Sequence, residues 1–325
     1  MPAVVFQFIF TTKIQQTNSH QQPSPPNHPM PSFIYQLISA TCFGLSNAYW
    51  KKIEKAGFSF EEAIFYRAFI GVAMLSILFI GSSYFSLLQN FNYINATFYH
   101  NNHLLYSFLI CFLCSLGLVC YVPSLKYKAV GVVVSLSSVN VFGILTATLF
   151  FNEAFTKNHF HSFIIAIIGI LFISIKSNSK QSKLLNIRSI ALPLLAAMFW
   201  VVGYTLFKVP LQWMGALTLS LFIEATVLIV AFIILKTNTN TQINFRKAFA
   251  TQHFYISGLL LVGGSVFINI ALSKLSMATV NILGLFTFPV SMFAAYLFNK
   301  ENPTIKEWIG ITLILASIIL LIIVK

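Results

Sequence analysis

Residues 124–175, SLKYKAVGVVVSLSSVNVFGILTATLFFNEAFTKNHFHSFIIAIIGILFISI, decide the fold. They read as a basic start, an apolar segment closed by the acid of Phe150-Phe151-Asn152-Glu153, a short polar turn and a second apolar segment. The same grammar returns from Ala271 to Ile322, with Phe298-Asn299-Lys300-Glu301 in the place of Phe150 to Glu153. Glu153 and Glu301 lie 148 residues apart, close to half of the apolar part of the chain. The protein is therefore one unit made twice.

Composition sets the class. Of 325 residues 57% are hydrophobic and 8% charged, where a soluble domain carries about a quarter. Apolar runs of about 20 residues, each sufficient for a helix to cross a hydrocarbon core of roughly 30 Å, recur from Ser32 to Val324. The fold class is an all-α polytopic membrane protein. The net charge of +13 comes from Lys and Arg scattered singly or in pairs between these runs, so it marks interfacial anchors rather than a nucleic-acid surface. All four cysteines lie inside apolar runs, where Cys111-x-x-Cys114 reads as packing.

The chain divides into a polar, proline-rich N-terminal tail (1–31), expected to be disordered, a first five-helix repeat (32–175) and a second (188–324). Met30, at the entry to the first membrane segment, is an alternative translation start. Ten spans are expected, at about 32–50, 61–80, 104–125, 129–151, 159–175, 188–207, 215–235, 254–274, 277–298 and 304–324. Two connections are longer, Gly81 to His103 and Lys236 to His253, and the first holds an Asn95-Ala96-Thr97 sequon attributed to chance in an Asn-rich loop. An offset of 157 places Phe43 on Trp200, Lys51 on Lys208 and Arg67 on Glu224. Because five is odd, the second half must enter from the opposite side, which makes an inverted repeat, the geometry of many alternating-access carriers.

The five-helix duplication, Phe43-Gly44-Leu45-Ser46-Asn47 followed by Lys51, Tyr66-Arg67-Ala68-Phe69, Leu125-Lys126-Tyr127 and the acid closing the fourth span together resemble the EamA-type transporters of the drug/metabolite transporter superfamily. The resemblance covers about residues 32–325. It implies a ten-helix carrier that moves a small metabolite, often an amino acid or related compound, outward through a cavity between the halves, in the bacterial inner (plasma) membrane. It also implies cytoplasmic termini. One departure is that the family's Trp-Gly pair of the first span is Phe43-Gly44 here, while Trp200-Val201 keeps the Trp and loses the Gly.

Charges inside spans cost at least about 2.5 kcal/mol, so those that persist face a cavity or a partner. Arg67 and Glu224 are the two, and they are expected to pair across the halves or to line the transport path; a static packing pair, or Arg67 snorkelling alone, are the competing readings. Lys51 and Lys208 read as attractors for an anionic substrate at the two mouths, or as snorkelling interfacial residues. Asn47, Asn140, Asn269 and Asn281 need hydrogen-bond partners within their spans, from substrate or from a neighbouring helix. Trp200 and Tyr204, one turn apart, can stack on a substrate, hold a cation over a ring, or pack. Pro123 and Pro289 interrupt spans three and nine, and Glu153 and Glu301 read as caps or loop contacts.

His159-x-His161 and His100-x-x-His103 lack the acids of a metal set, and the chain carries no glycine-rich phosphate loop and no nucleophile elbow. The expectation is a transporter without cofactor or catalytic role. A lipid-linked-intermediate flippase, with a cavity open sideways to lipid, an intramembrane enzyme, with clustered acids or histidines, and a structural subunit are the alternatives. Expected partners are membrane lipids and a small-molecule substrate, not nucleic acid, with a homodimer left open. With the N-terminus inside, fourteen basic residues fall outside against five inside, opposite to the positive-inside rule. This conflicts with the cytoplasmic termini that the resemblance implies and leaves the orientation open.

Overall fold

The computed structural model describes residues 31–82, 84, 91–95, 102–126, 133–134, 143–146, 148, 153, 155–174, 188–237 and 243–323. The N-terminal tail with Met30, His100, Asn140, the Ala96 and Thr97 of the sequon and most of the fourth span lie outside these.

Eleven α-helices are defined among the described residues. In the first half they are α1 (Ser32–Lys55), α2 (Phe60–Gly81), α3 (His103–Ser124) and α4 (Lys157–Ser174). In the second half they are α5 (Arg188–Leu206), α6 (Ala216–Thr237), α7 (Phe245–Ala250), α8 (Gln252–Lys274), α9 (Met277–Gly284), α10 (Thr287–Asn299) and α11 (Ile305–Ile323). The described residues of the fourth span, 133–134, 143–146 and 148, are also helical. Among the described residues seven helical stretches are long and apolar enough to cross a membrane, namely α2, α3, α5, α6, α8, α9 taken with α10, and α11; α4 is a shorter apolar helix, and α1, the expected first span, is not among the seven. Beta structure among them is limited to one antiparallel bridge, Ile94 with Met214.

Local chemistry sets several boundaries. Ser59 caps α2 in a capping box: its Oγ accepts the Glu62 N–H (3.2 Å) and the Glu62 carboxylate accepts the Ser59 N–H (2.8 Å). Glu61 and Glu62 also place negative charge at the positive end of the helix dipole. The ninth span is two pieces rather than one helix. It breaks at Leu285-Phe286, and Pro289 falls in the first turn of α10, where its missing N–H costs no intrahelical bond. Lys300 ends α10 in the left-handed conformation (φ 57°), which turns the chain so that the Glu301 N–H meets the Ala295 carbonyl (3.2 Å). The connection from Lys236 to His253 is not all loop: it contains α7, capped by the Asn244 side chain on Lys247 N (3.0 Å).

The two halves interlock. α1 packs along α8 and α3 along α5; α2 packs on α6 and α4 on α11. Each of these contacts joins one half to the other. The repeat exchanges the first two pairings and returns the last two to themselves, which is the signature of a pseudo-two-fold axis. One cluster of buried side chains, including Trp50, Tyr66, Tyr121, Phe254 and Phe288, runs through both halves. Outward rows such as Ile77, Ile80, Leu104, Leu105, Leu259 and Ile319 stay exposed, as expected of a surface solvated by lipid.

Candidate functional site

The axis passes through a charged pair. Arg67 on α2 and Glu224 on α6 are 2% and 3% exposed, and the Arg67 Nη2 donates to the Glu224 Oε1 across 2.8 Å. Two charges can persist at this depth only in each other's company. The pair is only half satisfied: Arg67 Nε and Nη1 and Glu224 Oε2 have no hydrogen-bond partner among the described residues. The guanidinium also lies over the Trp50 ring, 5.9 Å from its centroid.

A cavity of about 140 Å³ opens beside this pair. Its walls follow the repeat. From α1 come Phe43, Asn47 and Trp50, and from the matching positions of the second half come Trp200, Tyr204 and Phe207. Cys114, Leu118 and Tyr121 on α3 face their counterparts Leu261, Ser265 and Ile268 on α8. Similar shape thus meets dissimilar chemistry: an amide opposes a phenol and a phenol opposes an isoleucine. The Tyr121 hydroxyl is buried and, like the remaining nitrogens of Arg67, without a hydrogen-bond partner among the described residues.

Small residues make this geometry reachable. A Cβ on Gly117 would lie 2.5 Å from the Trp200 ring, and one on Gly264 would lie 2.9 Å from Phe43. The first helix of each half therefore rests its aromatic on a glycine of the other half's third helix, as close helix crossings in lipid require. The Trp200 indole donates to the Cys114 carbonyl (3.1 Å) and its ring packs on Tyr121, so one wall of the cavity is fixed in orientation.

Of the other described residues singled out by sequence, Asn47 is at the cavity and the rest lie outside its lining. Asn47 Nδ2 donates to Ser291 Oγ (3.0 Å), tying α1 to α10 at the edge of the cavity. Asn269 is fully buried away from it and donates to Ser220 Oγ (2.9 Å) across α8 and α6. Asn281 is buried with its amide packed close to Gly143, outside the lining. Lys51 and Lys208 are outside the lining too. Each is bound to an acid of the other half: Lys51 Nζ to Glu301 Oε1 at 2.6 Å, and Lys208 Nζ to Glu153 Oε1. Glu153 Oε2 also accepts the Met277 N–H (2.7 Å), at the start of α9. Cys111 and Cys114 are free thiols, both buried.

A duplicated bundle of apolar helices with a buried ion pair beside a cavity between its halves has the architecture of a membrane transporter, and the family match gives the class. The chain belongs to the EamA-like transporter family, whose sequence model matches residues 30–175 and again residues 187–323. A crystal structure superposes with a TM-score of 0.63 at 11% identity, over 90% of this chain and 98% of that one, which shows a shared fold. No curated protein matches the sequence.

Proposed function

We propose that the chain is a ten-span secondary transporter, two inverted five-helix repeats that move a small zwitterionic metabolite such as an amino acid outward across the plasma membrane. Alternating access is a rocking of residues 32–175 against 188–324 about the Arg67–Glu224 axis. The supporting observation is the half-satisfied ion pair beside the cavity. Arg67 retains N–H groups for a carboxylate, and Glu224 retains an oxygen for an ammonium group. A cavity of this volume suits a molecule about the size of benzene, which favours compact metabolites over lipids. Trp50, Trp200 and Tyr204 supply ring faces for an ammonium group or an apolar side chain.

The test is counterflow in proteoliposomes against labelled small amino acids, with wild type, Arg67→Ala, Glu224→Gln and the double variant. Saturable exchange of at least one amino acid, abolished by either single change in folded protein, is expected. Folded wild-type protein that exchanges none of them would overturn the reading.

A further inference from the structure

The repeat supplies a second symmetric device, at opposite faces of the bundle. Lys51 and Lys208 are equivalent under the 157-residue offset that also relates Arg67 to Glu224. Their partners Glu301 and Glu153 are equivalent under the later offset. Each ion pair therefore takes its base from one half and its acid from the other. The two pairs also sit at opposite faces: Glu153 is bonded to Met277, where α9 begins, whereas Glu301 follows the end of α10. The 23 residues of Met277–Asn299, α9 followed by α10, separate them, at most roughly 35 Å along the two helices. Next to each lysine in the chain is a buried aromatic that lines the cavity: Trp50 before Lys51 and Phe207 before Lys208, 3% and 0% exposed.

We infer that these are the two gates of the transporter, each a Lys–Glu latch joined through the chain to a cavity-lining aromatic: Lys51–Glu301 next to Trp50 at one face, Lys208–Glu153 next to Phe207 at the other. Both latches are formed here, Lys51 with Glu301 and Lys208 with Glu153. This inference rests on the alternating-access reading, which requires that one latch part while the other holds. Opening costs little on the scale of the fold, because each latch is partly exposed, with side chains 14–28% accessible.

Cys114 is a built-in reporter, since it lines the cavity and is a free thiol. The full chain, with Cys42, Cys111 and Cys120 replaced by alanine, is placed in membrane vesicles of known orientation. Its rate of modification by a charged, membrane-impermeant methanethiosulfonate is then measured from each face. Glu301→Gln is expected to raise the rate about five-fold from the Lys51 face alone, the factor for losing a partly exposed pair. Glu153→Gln is expected to raise it from the opposite face alone. The exchanged pair Lys51→Glu/Glu301→Lys should return the rate to its starting value, which separates latch loss from misfolding. Equal changes from both faces, no change from either, or failure of the exchanged pair to restore would each overturn the gates. Labelling needs no substrate, so a protein that moves no amino acid yet shows face-specific rates loses the substrate reading and keeps the gates. One that transports with unchanged rates loses the gates alone.

Discussion

The two faces of the bundle carry the same Lys–Glu pair yet are braced differently. At the Lys208 face, residues 91–95 of the first half run against 213–217 of the second as a short backbone ribbon. Asn95 N donates to Trp213 O (2.8 Å), Gly215 N to Tyr93 O (2.8 Å) and Leu217 N to Phe91 O (2.9 Å). The Asn92 side chain joins this ribbon to Ser82 and Thr218. At the Lys51 face the ties described between the halves go through side chains: Lys247 Nζ to Gly57 O (2.9 Å), the Tyr66 hydroxyl accepting from Asn244 N, and Asn299 Nδ2 to Ala48 O (3.2 Å). A duplicated fold can thus keep its gates equivalent and still set them to unequal strengths, by insertions in loops that the repeat does not constrain. The Lys51 face is the one that should part more readily.

The largest effect belongs to the pair that both faces share. Glu224→Ala leaves a buried guanidinium without its acid and should cost about 3–5 kcal/mol, whereas Arg67→Met/Glu224→Met together should recover most of it. Denaturation of the detergent-solubilised protein measures both, and neither should favour one face over the other in Cys114 labelling.

Gly215→Val comes next. A Cβ there collides with the Phe91 carbonyl, so the ribbon must shift, at about 1–3 kcal/mol. If the ribbon braces the gate, Cys114 labelling from the Lys208 face should rise towards that from the Lys51 face; unchanged labelling would end the contrast between the faces. Asn92→Ala removes the side-chain tie alone, and about 1 kcal/mol is expected, read as a lower melting temperature with a smaller rise in labelling at the same face. The smallest effect is Lys300→Gly, which relieves a left-handed residue while leaving Glu301 aimed at Lys51. Stabilisation of at most about 1 kcal/mol is expected. A rise in labelling from the Lys51 face would instead mean that the Lys300 side chain helps to hold that gate.

Arg67 and Glu224 were legible in the sequence because charge inside an apolar run has few fates, and the repeat offset put the two at one position. The latches were half legible. Lys51 matches Lys208 and Glu153 matches Glu301 by alignment, but that each lysine meets the other half's acid depends on which helix ends share a face. Spans one and nine run in the same direction, so their last turns share a face, and this is the signal that would have joined Lys51 to Glu301. The cavity walls were less legible. Trp200 and Tyr204 stood out in the second half, but nothing in the local pattern separates Tyr121, Phe207 or Cys114 from the many apolar residues that simply pack. The 91–95 ribbon was not legible at all, since its hydrogen bonds are made by backbone and its side chains carry no strand pattern.

A pair lying on a two-fold axis has one further property. Were the protein assembled from two identical half-length chains, the residue at this position would face its own copy, arginine against arginine or glutamate against glutamate, and like charges buried at contact distance would drive the halves apart. The Lys–Glu pairs have no such difficulty, because identical halves would simply form the same bond twice. Joining the copies in one polypeptide is therefore what allows opposite charges to meet at the centre, and any attempt to rebuild this molecule as a symmetric dimer of either half must first neutralise that one position.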